Sequence, residues 1–189
     1  MAGRKFSITD YINDRCAEMQ PLFAFQAETE AEARAWRVRA FAKLRDLLGE
    51  MPQPALLSPE VVESVDMGSY VREKAIFDAD EGSSIPAYVL VPKGQAAPLP
   101  AILCLHGHGP GKDPIAGITA PRHGYTQEAM QDCIRVHNYD YARQFAERGY
   151  VTLTFDFRCF GERANTSPDI YGRDPCNVHF MRGSLVGIN

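Results

Sequence analysis

The chain has 189 residues, 45% of them hydrophobic and 23% charged, which is enough to build a globular domain with its own core. The formal net charge of −4 provides no basic surface for phosphate groups, which argues against a nucleic acid partner. No stretch reaches the ~20 apolar residues of a membrane span, no signal-peptide pattern is visible, and five scattered cysteines form no disulfide framework. These features predict a cytoplasmic protein with reduced thiols and no membrane partner.

The first 59 residues are predicted to form a helical lead-in and a linker. Residues 1–28 show little periodicity and are expected to be irregular or partly helical. Thr29 followed by Glu32 matches a capping box, and apolar residues behind it recur at helical spacing. One clear helix is therefore expected after Thr29, before a proline-rich linker over residues 52–59.

Strand-like stretches follow the linker and are joined by short turns, as in an antiparallel meander. They are Val61–Val65, Tyr70–Phe77 and Ile85–Val91. Residues 101–105 then form an unbroken apolar run between a proline and glycines, which predicts a strand buried on both faces.

The remaining pattern predicts a change to parallel pairing. After a long connection, in which residues 126–134 are expected to be helical, a clearer helix should begin at Asn138 as its N-cap and end at Gly149. Residues 150–155 are rich in β-branched and aromatic side chains and predict a strand. Strand, helix and strand form a right-handed βαβ unit, so the fold class is α/β, with an antiparallel start that becomes parallel.

Local motifs in this half occur in a fixed order. His106-Gly107-His108-Gly109 ends the apolar run, Glu147-Arg148-Gly149-Tyr150 closes the clearer helix, and Asp156-Phe157-Arg158-Cys159-Phe160-Gly161-Glu162 follows the last strand. In this order they resemble the N-terminal half of α/β-hydrolases, above all the acetyl xylan esterase and dienelactone hydrolase branch. The resemblance implies that residues 60–189 are a truncated α/β-hydrolase domain behind the lead-in of residues 1–59. Cys159 stands where the family usually has glycine.

The resemblance also implies a site at the first motif. The backbone N–H of His108 would be an oxyanion-hole donor, because donors positioned beforehand stabilise the tetrahedral intermediate of ester hydrolysis. Gly107 and Gly109 would let the loop bend, and His106 would support the loop through a side-chain hydrogen bond. No cofactor is implied.

Other candidate residues lie in the two loops that follow. Arg122, His123 and Tyr125, in the long connection, are expected to overhang the cleft and line the substrate pocket. Asp156 and Arg158 are expected to form a loop-stabilising pair. Cys159 would be a nucleophile only if a base such as His179 reached it, so an incidental thiol is the expectation.

The nucleophile of the family is missing from this sequence. No serine lies in a Gly-x-Ser-x-Gly elbow, so the chain is expected to be the N-terminal part of a serine esterase whose Ser, Asp and His follow residue 189. Its partner would be a small-molecule ester. The strand at 101–105 would then be an open edge, and this chain alone is expected to be inactive.

Three alternatives remain open at this level. The same oxyanion loop would serve an amide-cleaving peptidase, because it suits any acyl transfer. His106 and His108 could instead bind zinc together with His123, His137, His179 or a cysteine, as in a metal-dependent hydrolase. The chain could also be a non-catalytic interaction protein.

Overall fold

The computed structural model describes residues 6–49, 53–96, 98–122 and 124–164. The chain divides into two compact units, an N-terminal unit of residues 1–49 and a sheet unit of residues 50–189.

The N-terminal unit contains two helices, α1 (Ile8–Glu18) and α2 (Glu30–Leu48). The predicted capping box is confirmed: the Glu32 N–H donates to Thr29 Oγ1 at 3.3 Å, and the Thr29 N–H donates to the Glu32 carboxylate at 3.0 Å. The indole N–H of Trp36 donates to a backbone carbonyl of the segment between the helices. Helix α1 also confirms a partly helical lead-in.

The sheet unit is built on one five-stranded sheet in the order β1-β2-β3-β5-β4. The strands are β1 (Glu60–Asp66), β2 (Tyr70–Asp80), β3 (Ser83–Pro92), β4 (Ala101–Leu103) and β5 (Val151–Phe155). β1, β2, β3 and β5 pair antiparallel, whereas β4 pairs parallel with β5. The predicted antiparallel start and parallel βαβ unit are therefore confirmed.

β4 is shorter and more exposed than predicted. It spans three residues rather than five, and the side chains of Leu103 and Leu105 are 54% and 45% exposed. Among the described strands β4 pairs with β5 alone, so it lies at the edge of the sheet. The prediction of burial on both faces is wrong, because Leu103 and Leu105 remain about half exposed in the described part of the chain. The predicted edge position is confirmed for the strands that the structure describes.

Three helices connect β4 to β5: α3 (Lys112–Ile115), α4 (Gln127–His137) and α5 (Tyr141–Glu147). α4 confirms the helix predicted in the long connection, whereas α3 was not predicted. Thr126 is the N-cap of α4, and its hydroxyl oxygen accepts from the Ala129 N–H at 3.2 Å.

The predicted role of Asn138 as an N-cap is wrong. Asn138 adopts the left-handed conformation, with φ of 54°, and is the C-cap of α4. Its N–H donates to the Ile134 carbonyl at 2.9 Å, while Asp140 precedes α5. Asparagine tolerates this conformation better than most residues, so it can end one helix just before the next begins.

The core of the sheet unit lies between the sheet and the helices that follow β4. Its buried residues come from β2, β3, the end of β4, α3 with its C-cap, and α5: Tyr70, Tyr88, Leu90, Cys104, Ile115, Ala116, Ala142 and Ala146. The Thr152 hydroxyl donates to the Ala142 carbonyl at 3.2 Å, which joins β5 to α5. This packing holds α3 near the carboxyl end of β5.

Candidate active site

The imidazole of His106 is buried where the chain leaves β4. Its Nδ1–H donates to the Gly107 carbonyl at 2.7 Å, and its Nε2 accepts from the Phe157 N–H at 3.0 Å. The ring packs against Phe157 and Phe160, with centroids 4.7 and 5.1 Å away. Burial lowers the pKa of His106, which favours the neutral ring that these two bonds require. Both ring nitrogens are engaged, so the geometry favours loop support over general-base chemistry.

The three residues after His106 form the turn in which the oxyanion donor was predicted. The imidazole of His108 contacts Phe160 edge-on, with centroids 5.7 Å apart. A side chain at Gly109 would meet open space, and one at Gly107 would lie 3.4 Å from the Tyr139 hydroxyl. No side chain at Gly107 or Gly109 covers the backbone of the turn. The role of the His108 N–H as an oxyanion donor stays a prediction.

The side chain of Lys112, at the start of α3, is completely buried. Its ammonium donates to Asp156 Oδ2 at 2.8 Å and to Glu162 Oε1 at 2.5 Å, and it lies 5.0 Å from the centre of the Tyr88 ring. Burial alone would lower the pKa of Lys112, but the carboxylates of Asp156 and Asp113 raise it above the ordinary value. Lys112 is therefore a charged group held inside the protein by carboxylates.

Asp156, directly after β5, binds Lys112 and not the predicted partner Arg158. Its carboxylate is fully buried and accepts the Lys112 N–H at 2.8 Å, the Lys112 ammonium at 2.8 Å and the Glu162 N–H at 3.0 Å. The prediction that Asp156 pairs with Arg158 is therefore wrong, because its partner is Lys112. Sequence reasoning missed Lys112 because a lysine in a Gly- and Pro-rich loop is ordinarily solvated.

Close backbone approach to Asp156 explains two glycines near it. A Cβ atom on Gly111 or Gly161 would lie less than 3.0 Å from the Asp156 carboxylate, and both glycines have positive φ, of 95° and 52°. Cys159, two residues before Gly161, also has a positive φ of 68°. Its position requires the left-handed conformation, which explains why glycine is usual there. Burial raises the pKa of the Cys159 thiol, which disfavours the thiolate that a nucleophile needs.

A second layer of charges surrounds the Lys112–Asp156 pair. Glu162 also accepts from Lys74 at 2.7 Å. Partial burial alone would raise its pKa, but hydrogen bonds from Lys112 and Lys74 lower it to about 2. Asp113, next to Lys112, accepts from the guanidinium of Arg122 at 2.7 and 2.8 Å. Three cations and three carboxylates thus form one network with balanced charge.

Arg122 and Tyr125, two of the predicted pocket residues, are joined by backbone hydrogen bonds of 2.8 and 3.1 Å. They line a cavity of about 490 Å³ together with Gly124 and Thr126. The Asp113 carboxylate orients the Arg122 side chain, which is 26% exposed. His123, the third predicted pocket residue, lies outside the described residues.

The proposed zinc site finds little support in this geometry. Both ring nitrogens of His106 are already hydrogen bonded, and no cluster of three or more His, Cys, Asp or Glu suited to a metal occurs among the residues described. His137 packs its ring on Tyr139 instead, with centroids 5.6 Å apart. His123 and His179 lie outside the described part of the chain. In that part, no helix is long and apolar enough to span a membrane.

Comparison with known proteins decides the family. Residues 2–172 match the Abhydrolase family. The chain belongs to the Abhydrolase family. The resemblance to α/β-hydrolases is thereby confirmed over most of the chain.

Individual relatives of this Abhydrolase chain are considerably longer than it is. Bacillus subtilis (strain 168) YtaP, described as a hydrolase, is 26% identical over 121 residues, which are 62% of this chain and 36% of YtaP. A structure from Bacteroides fragilis NCTC 9343, described as an acetyl xylan esterase, has a TM-score of 0.73 at 21% identity, over 98% of this chain and 46% of that one. Methylesterase BT1017 gives a TM-score of 0.50 at 16% identity, over 94% and 34%. The chain thus spans less than half the length of these relatives, and it shares the fold of the two solved structures.

Proposed function

We propose that the protein is a serine esterase that cleaves carboxylic esters with short acyl groups, such as acetate, through an acyl-enzyme. The observation that carries this proposal is the turn at residues 106–109. It leaves a parallel strand at its carboxyl end, where α/β folds place their active sites, in a chain of the Abhydrolase family. Relatives described as a hydrolase, an acetyl xylan esterase and a methylesterase agree with ester cleavage.

The turn would contribute the electrostatic part of this mechanism. As a serine attacks the acyl carbon, negative charge develops on the carbonyl oxygen, and the His108 N–H would donate to it. Gly107 and Gly109 leave room for the substrate, and His106 holds the loop. Arg122, His123 and Tyr125 would line the acyl or alcohol side of the pocket.

The remaining catalytic groups would come from chain beyond residue 189. They are the serine, the histidine that moves its proton and the aspartate that orients this histidine. The proposal therefore expects residues 1–189 alone to hydrolyse p-nitrophenyl acetate no faster than buffer. The complete protein should turn over this ester and be labelled by a serine-directed fluorophosphonate.

Two substitutions of one residue separate a backbone donor from a side-chain role. His108→Pro removes the N–H and should lower kcat by roughly 100- to 1000-fold. His108→Ala keeps the N–H and should leave kcat within about threefold. Loss of activity in His108→Ala, or on dialysis against a chelator, would instead support the zinc hydrolase.

A further inference from the structure

The loop from His106 to Lys112 is fastened at both ends to two consecutive residues after β5. At its start, His106 Nε2 accepts from the Phe157 N–H at 3.0 Å. At its end, the Lys112 N–H donates to Asp156 Oδ1 at 2.8 Å. Three of the five residues between these points are glycines, and glycine is the residue with the greatest backbone freedom. The two fastenings therefore help to set the conformation of the loop, together with Pro110 and the contact of His108 with Phe160.

The fastening at Lys112 is the stronger of the two. The same aspartate that accepts the Lys112 backbone N–H also accepts its ammonium at 2.8 Å, so both the main chain and the side chain of Lys112 bind one carboxylate. Both residues are fully buried, and hydrogen bonds between charged groups are shorter and stronger away from water. The carboxylate cannot move without breaking both bonds.

The surroundings hold this carboxylate in one position. The Glu162 N–H donates at 3.0 Å to Oδ2, the oxygen that also accepts the Lys112 ammonium. The backbones of Gly111 and Gly161 approach the carboxylate so closely that neither position has room for a Cβ atom. Displacing a catalytic donor by about 1 Å can cost about 100-fold in rate. A rigid anchor four residues after His108 is therefore sufficient to matter for catalysis.

We propose that Lys112 and Asp156 are positioning residues for catalysis, which set the direction of the His108 N–H by fixing the end of the oxyanion loop. This role rests on the proposed esterase function, since the loop matters for catalysis only if it binds an oxyanion. Neither residue touches the reacting atoms in this proposal. Both act through the backbone of residues 107–111.

The test compares two substitutions that each remove one carboxylate charge from the Lys112 ammonium in the complete protein. Asp156→Asn disturbs the acceptor of the loop N–H, and kcat for p-nitrophenyl acetate should fall about 100-fold with KM within about threefold. Glu162→Gln is the matched control, because Glu162 binds the same ammonium at 2.5 Å through its side chain but does not accept the loop N–H. It should lower Tm and keep kcat within about threefold. Equal kcat values per folded active site in wild type and Asp156→Asn would overturn the proposal.

Two further arms make the test independent of folding and of esterase activity. If Asp156→Asn does not fold, Lys112→Met combined with Glu162→Gln removes one charge of each sign at nearly constant volume, and kcat should fall about tenfold. An unchanged kcat would again overturn the proposal. Hydrogen exchange of the Lys112 amide should accelerate at least about tenfold in Asp156→Asn but not in Glu162→Gln. If the wild type cleaves no ester, the proposed function fails, and the exchange result alone decides whether this pair fixes the loop.

Discussion

Gly161→Ala is expected to destabilise the sheet unit because it forces the Asp156 carboxylate out of place. The new Cβ would lie less than 3.0 Å from the carboxyl carbon and both oxygens of Asp156. Asp156 is fully buried, and its Oδ2 accepts from the Lys112 ammonium and from the Glu162 N–H, so a displacement of the carboxylate would break these bonds. The substitution must therefore strain the backbone or break a hydrogen bond to a buried charge.

The size of the effect follows from two contributions. Alanine at a φ of 52° costs about 1 kcal/mol relative to glycine, because its Cβ crowds the following carbonyl. Overpacking a buried site adds roughly 1–3 kcal/mol. The free energy of unfolding should therefore fall by about 3 kcal/mol.

Gly94→Ala is the control that isolates the packing contribution. Gly94 has a φ of 73°, but a Cβ there would meet nothing within 4 Å. Its substitution should cost only about 1 kcal/mol. Urea unfolding should be followed by far-UV circular dichroism, because the single tryptophan, Trp36, lies in the N-terminal unit. Equal losses in the two variants would refute the reasoning that Asp156 is fixed in place.

Two further predictions concern the motifs on either side of Asp156. The pKa of His106 is lowered in the folded protein, so as the pH falls the unfolded chain takes up a proton first. The free energy of unfolding, measured by urea unfolding against pH, should therefore be highest above pH 6.5 and fall below it by up to about 1.4 kcal/mol per pH unit. The fall should be less steep in His106→Gln, which lacks this imidazole. A wild-type slope identical to that of His106→Gln between pH 6.5 and 5 would contradict this. Cys159→Gly should be more stable than Cys159→Ala by about 1 kcal/mol, because the φ of 68° favours glycine; greater stability of the alanine variant would show that the conformation is not strained.

Much of the secondary structure could be predicted because its determinants are local. Thr29 and Glu32 are three residues apart, and one helical turn brings them together whatever the rest of the chain does. The meander strands are similar, since each pairs with its neighbour in sequence. The prediction failed at Asn138, because asparagine is favoured both before the first turn of a helix and in the left-handed conformation after the last one.

The exposure of β4 could not be predicted from its own residues. An apolar run of five residues is typical of a strand covered on both faces, yet Leu103 and Leu105 are about half exposed. Burial is a property of what packs against a strand, and that information lies elsewhere in the sequence. The edge position was predicted instead from the expectation that the chain is the N-terminal part of the family's domain.

The buried charges were missed for a related reason. Lys112 and Asp156 are 44 residues apart, and Lys112 and Glu162 are 50 apart, so no short motif contains the pair. A single sequence shows a lysine in a glycine-rich loop, for which a solvated side chain is the ordinary expectation. The available signal was indirect, namely the resemblance of the segment from Asp156 to Glu162 to a motif of the family.

The residues of the motif after β5, from Asp156 to Glu162, include those that bind the buried ammonium of Lys112. Asp156 supplies a carboxylate at the end of β5. The parallel strand β4 ends at the same edge of the sheet, and the N–H of Lys112, in the connection that follows β4, donates to this carboxylate. Gly161 lets the chain return close enough for its neighbour Glu162 to supply both a backbone N–H to Asp156 and a second carboxylate to Lys112. A buried ammonium needs several acceptors, because its desolvation is costly and one partner leaves other N–H groups unsatisfied. The spacing of Asp156, Gly161 and Glu162 therefore follows from the coordination of Lys112. Of the carboxylates that bind this ammonium, that of Asp156 also accepts the Lys112 N–H, so its loss is the one expected to disturb the loop that ends at Lys112.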